Sequence, residues 1–166
     1  MTLPSQPASA DLASQLGDRL LVIYDGYCGL CNASVQWLIR RDRQDRLRFI
    51  PSHAPAVACL LAAHPQPAEP SGAPGSVLVV RQPFSTHPVV LVRSRAVLAA
   101  LRVLRFPWPA ISVLLSLVPA FLADPVYRLV ARWRYRIWGR LDACPLPTPD
   151  QQRRFISSTE PPQKSC

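Results

Sequence analysis

The residues of this chain best placed to do chemistry lie together in Tyr24-Asp25-Gly26-Tyr27-Cys28-Gly29-Leu30-Cys31-Asn32. Two cysteines separated by two residues can bring their sulfurs to bonding distance when one of them sits on the first turn of a helix. The unpaired amides and the positive dipole end of that turn favour thiolate over thiol, and the thiolate attacks disulfides. Cys28, toward the loop end, is expected to be the exposed nucleophile. Cys31, one turn in, is expected to be the more buried thiol that resolves a mixed disulfide. Gly29 should let a substrate backbone come close, Leu30 should add an uncharged contact, and Tyr27 should help shape the site.

Competing chemistries need residues that the string does not supply. A structural zinc site takes four ligands, usually from two such pairs, and there is no second C-x-x-C. Cys59, Cys144, His53, His64 and His87 could be recruited only singly. Haem attachment would need His after Cys31, where the chain has Asn32. Cys144, in Asp142-Ala143-Cys144-Pro145, reads either as a third redox cysteine docking near the pair or as a small buried hydrophobe. Cys59 reads as core and Cys166 as a terminal thiol, and the three histidines fall near prolines in loops, with no role assigned.

A reactive turn needs a strand before it and a helix after it. Arg19 to Tyr24 is an apolar run of β-formers, and from Cys31 to Asp42 the residues Val35, Leu38 and Ile39 recur at helical spacing. Leu47 to Ile50 reads as a second strand, Pro55 to Ala63 as a short helix, and Pro65 to Gly75 as a loop. Ser76 to Arg81 and Pro88 to Arg93 read as a hairpin. Ser94 is placed to cap a helix carrying Ala96, Val97, Ala100, Leu101 and Leu104. The order β-α-β-α-β-β-α is that of an α/β layered domain.

The C-terminal part carries two more helical segments. Phe106 to Ala123 contains no charge, but Pro107, Pro109 and Pro119 cut it, leaving nine uninterrupted residues from Ala110 to Val118. Nine residues of helix rise only about 14 Å, roughly half the hydrocarbon thickness of a bilayer. A buried helix is therefore expected, with an interfacial segment as the alternative. In the last helix Asp124 is the expected N-cap, Pro125 the first helical residue and Gly139 the stop. Val126, Val130, Trp133, Ile137 and Leu141 form one apolar stripe. Arg128, Arg132, Arg136 and Arg140 form a second stripe expected to be a solvated face.

The chain has 166 residues, 49% of them hydrophobic, enough for one domain with a real core. That domain is expected over 19–145, between a flexible leader (1–18) and a polar tail (146–166). The net charge is +9, with 18 of the 19 basic residues being Arg. No nucleic-acid module accompanies the arginines, so specific nucleic-acid binding is not expected. Five cysteines, an odd count, and no basic and apolar export signal point to a reducing cytoplasmic setting.

DGYCGLCN, the RSRA at Arg93 to Ala96, and ARWRYRIWGRLDAC resemble the DCC family of predicted thiol–disulfide oxidoreductases. The family pattern D-x-x-C-x-x-C falls on Asp25, Cys28 and Cys31, and the resemblance runs from about Leu20 to Cys144. It implies a thioredoxin-like fold, here a β-α-β-α-β-β-α core extended by helices at about Trp108 to Val118 and Pro125 to Trp138. Such folds usually place a cis-proline opposite the dithiol. Pro74 is the candidate, with an ordinary loop proline as the alternative. They also carry a buried acid. Asp25 is the candidate base toward Cys31, or equally a turn-forming residue before Gly26. The implied activity is protein-disulfide reduction, needing a disulfide-containing substrate and an electron donor but no metal or organic cofactor. The rival is a redox-inactive module whose Arg-rich last helix docks on a membrane surface or an acidic partner.

Overall fold

The structure, a computed structural model, describes residues 16–63, 77–81, 89–144 and 147–156. Its sheet starts with β1 (Leu20–Tyr24), all five residues of which are buried. β2 (Leu47–Pro51) joins it in parallel, with Leu20 opposite Leu47 and Tyr24 opposite Pro51. β3 (Leu78–Arg81) pairs antiparallel with the other side of β1, and β4 (Val89–Val92) pairs antiparallel with β3. The order is β2-β1-β3-β4. A strand flanked on both sides and covered on both faces has no polar side, which is why LLVIY is continuously apolar.

Three helices complete the core: α1 (Gly29–Arg41), α2 (Pro55–Ala63) and α3 (Arg93–Arg102). Then follow α4 (Trp108–Ser116), α5 (Ala120–Trp138) and the short α6 (Pro149–Gln152). The described elements run β1-α1-β2-α2-β3-β4-α3-α4-α5-α6. This is the expected α/β, thioredoxin-like core with C-terminal helices. Alternate residues of β1 feed two cores. Leu20, Val22 and Tyr24 pack with Val35 and Ile39 of α1 and with Ala96 and Leu101 of α3. Leu21 and Ile23 pack on the other face with Val57 of α2, Leu16 and Ile156.

The turn from α1 into β2 is held by charge. Asp42, 1% exposed, accepts the Arg46 and Leu47 amides at 3.0 Å each and pairs with Arg154 at 3.0 Å. Nearby, Asp45 pairs with Arg48 and Arg19.

Two expectations about the ends of the chain are corrected. Leu16 is 1% exposed and Ile156 4% exposed, so the leader and the tail each contribute a core residue. The Phe49 amide donates to the Arg154 carbonyl at 2.9 Å and the Ile156 amide to the Phe49 carbonyl at 3.0 Å. The tail thus covers part of the outer edge of β2, where unpaired strand groups would otherwise face water.

The C-terminal helices depart further from expectation. α5 begins at Ala120, so Pro125 lies inside it and Asp124 is not its cap. Nor does Ser94 cap α3, whose N-cap is Val92. The two residues serve each other instead: the Ser94 hydroxyl donates to Asp124 at 2.7 Å, tying α3 to α5. The expected burial of Phe106 to Ala123 is also reversed, and the Val126 to Ile137 stripe is exposed as well. Of the 17 large hydrophobic residues exposed among the described residues, 15 lie between Phe106 and Trp138. Among the described residues no single helix is long and apolar enough to cross a membrane.

Candidate active site

β1 delivers Tyr24 to a four-residue turn, and α1 starts at Gly29 with Cys28 as its N-cap. Cys28 keeps extended backbone (φ −93°, ψ 120°), and its Sγ accepts the Cys31 amide at 3.4 Å. A sulfur here takes the place of the usual capping oxygen, so the helix begins two residues earlier than its apolar periodicity indicates. The Asn32 side chain pins the turn, donating to the Gly26 carbonyl at 2.7 Å and the Cys28 carbonyl at 3.0 Å.

The expected exposure of the two cysteines is reversed. Cys28 is 0% exposed and Cys31 6%. The cause is the segment Gly139 to Leu141, which leaves α5 and lies over the turn as a strap. Leu141 donates to the Tyr27 carbonyl at 2.8 Å and Gly29 to the Gly139 carbonyl at 3.4 Å, with Cys28 opposite Arg140 in an antiparallel bridge. Gly29 is needed for this close approach, since a Cβ there would collide with the Trp138 carbonyl oxygen. Its open space is taken by the chain's own backbone, not left for a substrate as expected. Gly139 supplies the reversal at φ +74°, ψ 166°, a conformation essentially confined to glycine.

Asp25 faces both ways. One carboxylate oxygen accepts the Tyr27 amide at 3.0 Å, the turn-forming role. The other accepts from Arg134 at 3.1 Å and from the Tyr135 hydroxyl. The Arg134 and Asp25 side chains are 5% and 8% exposed, and two charges so buried persist because they are paired. Sequence reasoning missed Arg134 and Tyr135. The signal was there: Arg134 is the one arginine of α5 off the row Arg128, Arg132, Arg136, and that offset turns it inward.

Burial pushes the Cys31 thiol up to about 12, helped by its hydrogen bond to Cys28, by the Cys28 charge and by Asp25, and opposed by Arg134. Burial likewise raises Tyr24 and Tyr135. Cys144 closes the far side of the turn: its Sγ is 3.9 Å from the Tyr24 hydroxyl and would lie 2.8 Å from a Cβ at Gly26. Tyr27 packs on His53, ring centroids 4.9 Å apart, at the rim, so a histidine given no role does border the site. Leu30 packs against the edge of the core. Cys28 and Cys31 are free thiols. Pro74 and Cys166 lie outside the described residues; the cis peptide among those described is Phe106–Pro107, between α3 and α4. No three His, Cys, Asp or Glu side chains gather as metal ligands would among the described residues.

Residues 22–140 match the family described as DCC1-like thiol-disulfide oxidoreductase. The chain is 32% identical over 144 residues to the uncharacterized protein YuxK of Bacillus subtilis (strain 168), covering 87% of this chain and 98% of that one. It is 30% identical over 128 residues to a chloroplastic DCC family protein of Arabidopsis thaliana, covering 77% of this chain and 70% of the relative. No solved structure matches the chain significantly.

Proposed function

The chain belongs to the DCC1-like thiol-disulfide oxidoreductase family, and from that premise we propose that it is a protein-disulfide reductase in which Cys28 attacks and Cys31 resolves. The observation that carries this reading is the amide of Cys31 donating to Cys28 Sγ at the start of a 13-residue helix. That amide and the positive end of the helix dipole both point at the sulfur that makes the attack.

In the first step the Cys28 thiolate attacks one sulfur of a substrate disulfide. The mixed disulfide forms, and the other substrate sulfur leaves as thiolate and takes a proton from solvent. Cys31 then gives up its proton and attacks Cys28 Sγ. The second substrate sulfur leaves as thiolate and takes up the proton that Cys31 gave up, and a Cys28–Cys31 disulfide remains. Two electrons have passed to the substrate, and an external dithiol restores the pair. Asp25 and Arg134 act on Cys31 with opposite sign, the carboxylate holding its proton and the guanidinium loosening it. Two of the influences that hold this proton, the hydrogen bond to Cys28 and the Cys28 charge, vanish once Cys28 is bonded to substrate. Cys31 therefore becomes easier to ionise when its attack is required.

Because Cys28 is fully covered, the strap must lift before a substrate sulfur can approach. That coverage is also the observation favouring the rival reading, a module whose buried cysteines do no redox work. Reduction of insulin by dithiothreitol separates the two. Wild type should accelerate turnover, Cys28→Ser should remove the whole gain, and Cys31→Ser should accumulate a mixed disulfide. Equal rates for wild type and Cys28→Ser would decide for the rival.

A further inference from the structure

α5 is built inside out. Its inward side makes polar attachments: Asp124 accepts from Ser94, the Tyr127 oxygen accepts the Val77 amide at 3.0 Å, and Arg134 pairs with Asp25. Its outward side is apolar. At about 100° per residue, Leu122, Val126, Leu129, Val130, Trp133 and Ile137 fill one continuous arc of about 100°, and all six are exposed, from 42% at Val130 to 62% at Val126. The adjoining arc holds Arg128, Arg132 and Arg136, also exposed. α4, the helix before it, also exposes apolar residues, with Val113, Leu114 and Leu115 45% to 66% exposed. A solvated helix normally carries its apolar arc toward the core.

We propose that this outward face of α4 and α5 docks on the surface of an anionic lipid bilayer, apolar arc in the interface and arginine row on the headgroups. The charge pattern selects that occupant. From Phe106 to Trp138 the only acid is Asp124, which is engaged inward with Ser94, so the face meets solvent with arginines alone. A second copy of the chain, stacked antiparallel with α5 on α5, would set one arginine row against another. Helices that lie in the bilayer interface combine an apolar arc bearing Trp, Leu or Phe with a flanking Lys/Arg arc. The face lies along the membrane and does not cross it: α4 and α5 are bent by 114°, and four arginines interrupt α5. The proposal goes beyond the redox reading and stands without it.

Flotation of the whole protein with vesicles tests it. Wild type should rise with vesicles of phosphatidylcholine and phosphatidylserine, and much less with phosphatidylcholine alone. The triple variant Arg128→Glu/Arg132→Glu/Arg136→Glu should lose about a hundredfold of the partitioning to anionic vesicles. Val126→Ser/Val130→Ser/Ile137→Ser should also lose binding, with thermal unfolding unchanged in both. Cys28→Ser should float as wild type does, which keeps this test independent of the reductase reading. The proposal is overturned if wild type ignores anionic vesicles, or if the arginine variant floats equally well. It is also overturned if sedimentation shows a dimer that the serine variant dissociates.

Discussion

α1 and α5 are both amphipathic helices, and both end at the dithiol turn, α1 starting from it and α5 running into the strap above it. They are mounted in opposite senses. α1 buries Cys31, Val35 and Ile39 against the sheet and leaves its polar side outward. α5 turns Asp124, Tyr127 and Arg134 inward and leaves its hydrophobic residues in solvent. Periodicity alone cannot tell these apart, because it reports that a helix has two sides without reporting which side meets the domain. What distinguishes them is the charge buried at the site: Asp25 needs a cation, and Arg134, pointing inward from α5, supplies it.

Substitutions along the two helices should separate the two mountings. Val35→Asp in α1, at a position 3% exposed, buries an unpaired charge and should cost more than about 4 kcal/mol, read as loss of the folded baseline in urea. Arg134→Gln should cost about 3–5 kcal/mol by leaving Asp25 buried without its cation, while Arg132→Gln on the exposed row should leave the urea midpoint unchanged. An equal effect of the two arginines would erase the distinction between inward and outward sides. Gly139→Ala should cost about 1–3 kcal/mol by straining the strap's reversal, and alkylation of Cys28 by iodoacetamide should become faster. Val126→Ser, 62% exposed, should shift stability by no more than about 0.5 kcal/mol, where an inward apolar residue would shift it several times as far.

The smallest effect concerns the turn that follows α1. The hydrogen bond and charge of Arg48 hold Asp45 at about 2, below its ordinary 3.8. A carboxylate whose folded value is depressed contributes stability above its unfolded value and loses it as pH falls through the folded one. Wild type should therefore lose stability between pH 3.8 and about 2 more steeply than Asp45→Asn, followed by urea midpoints across that range.

Much of the core could be read from the string because each signal was local and unopposed. LLVIY has no polar residue to place at a surface, and Cys28 and Cys31 sit where a strand gives way to a helix. The site was legible as a dithiol turn, but not as a covered one. Coverage depends on a segment more than 100 residues away, and no local pattern marks Gly139 to Leu141 as the partner of Tyr27 to Gly29. The same distance hid the partnership of Asp25 with Arg134 and Tyr135. Asp124 and Ser94 misled for a different reason: both are good capping residues, and a hydrogen bond between helices outcompeted both caps.

The pairing of Arg154 with Asp42 and the bridge from Phe155 to Phe49 have a consequence for shortened chains. A molecule ending before Arg154 would leave a fully enclosed carboxylate without its counter-ion and would bare part of the outermost strand. Naked strand borders recruit one another, so trimming this unremarkable-looking terminus should make the protein prone to aggregate.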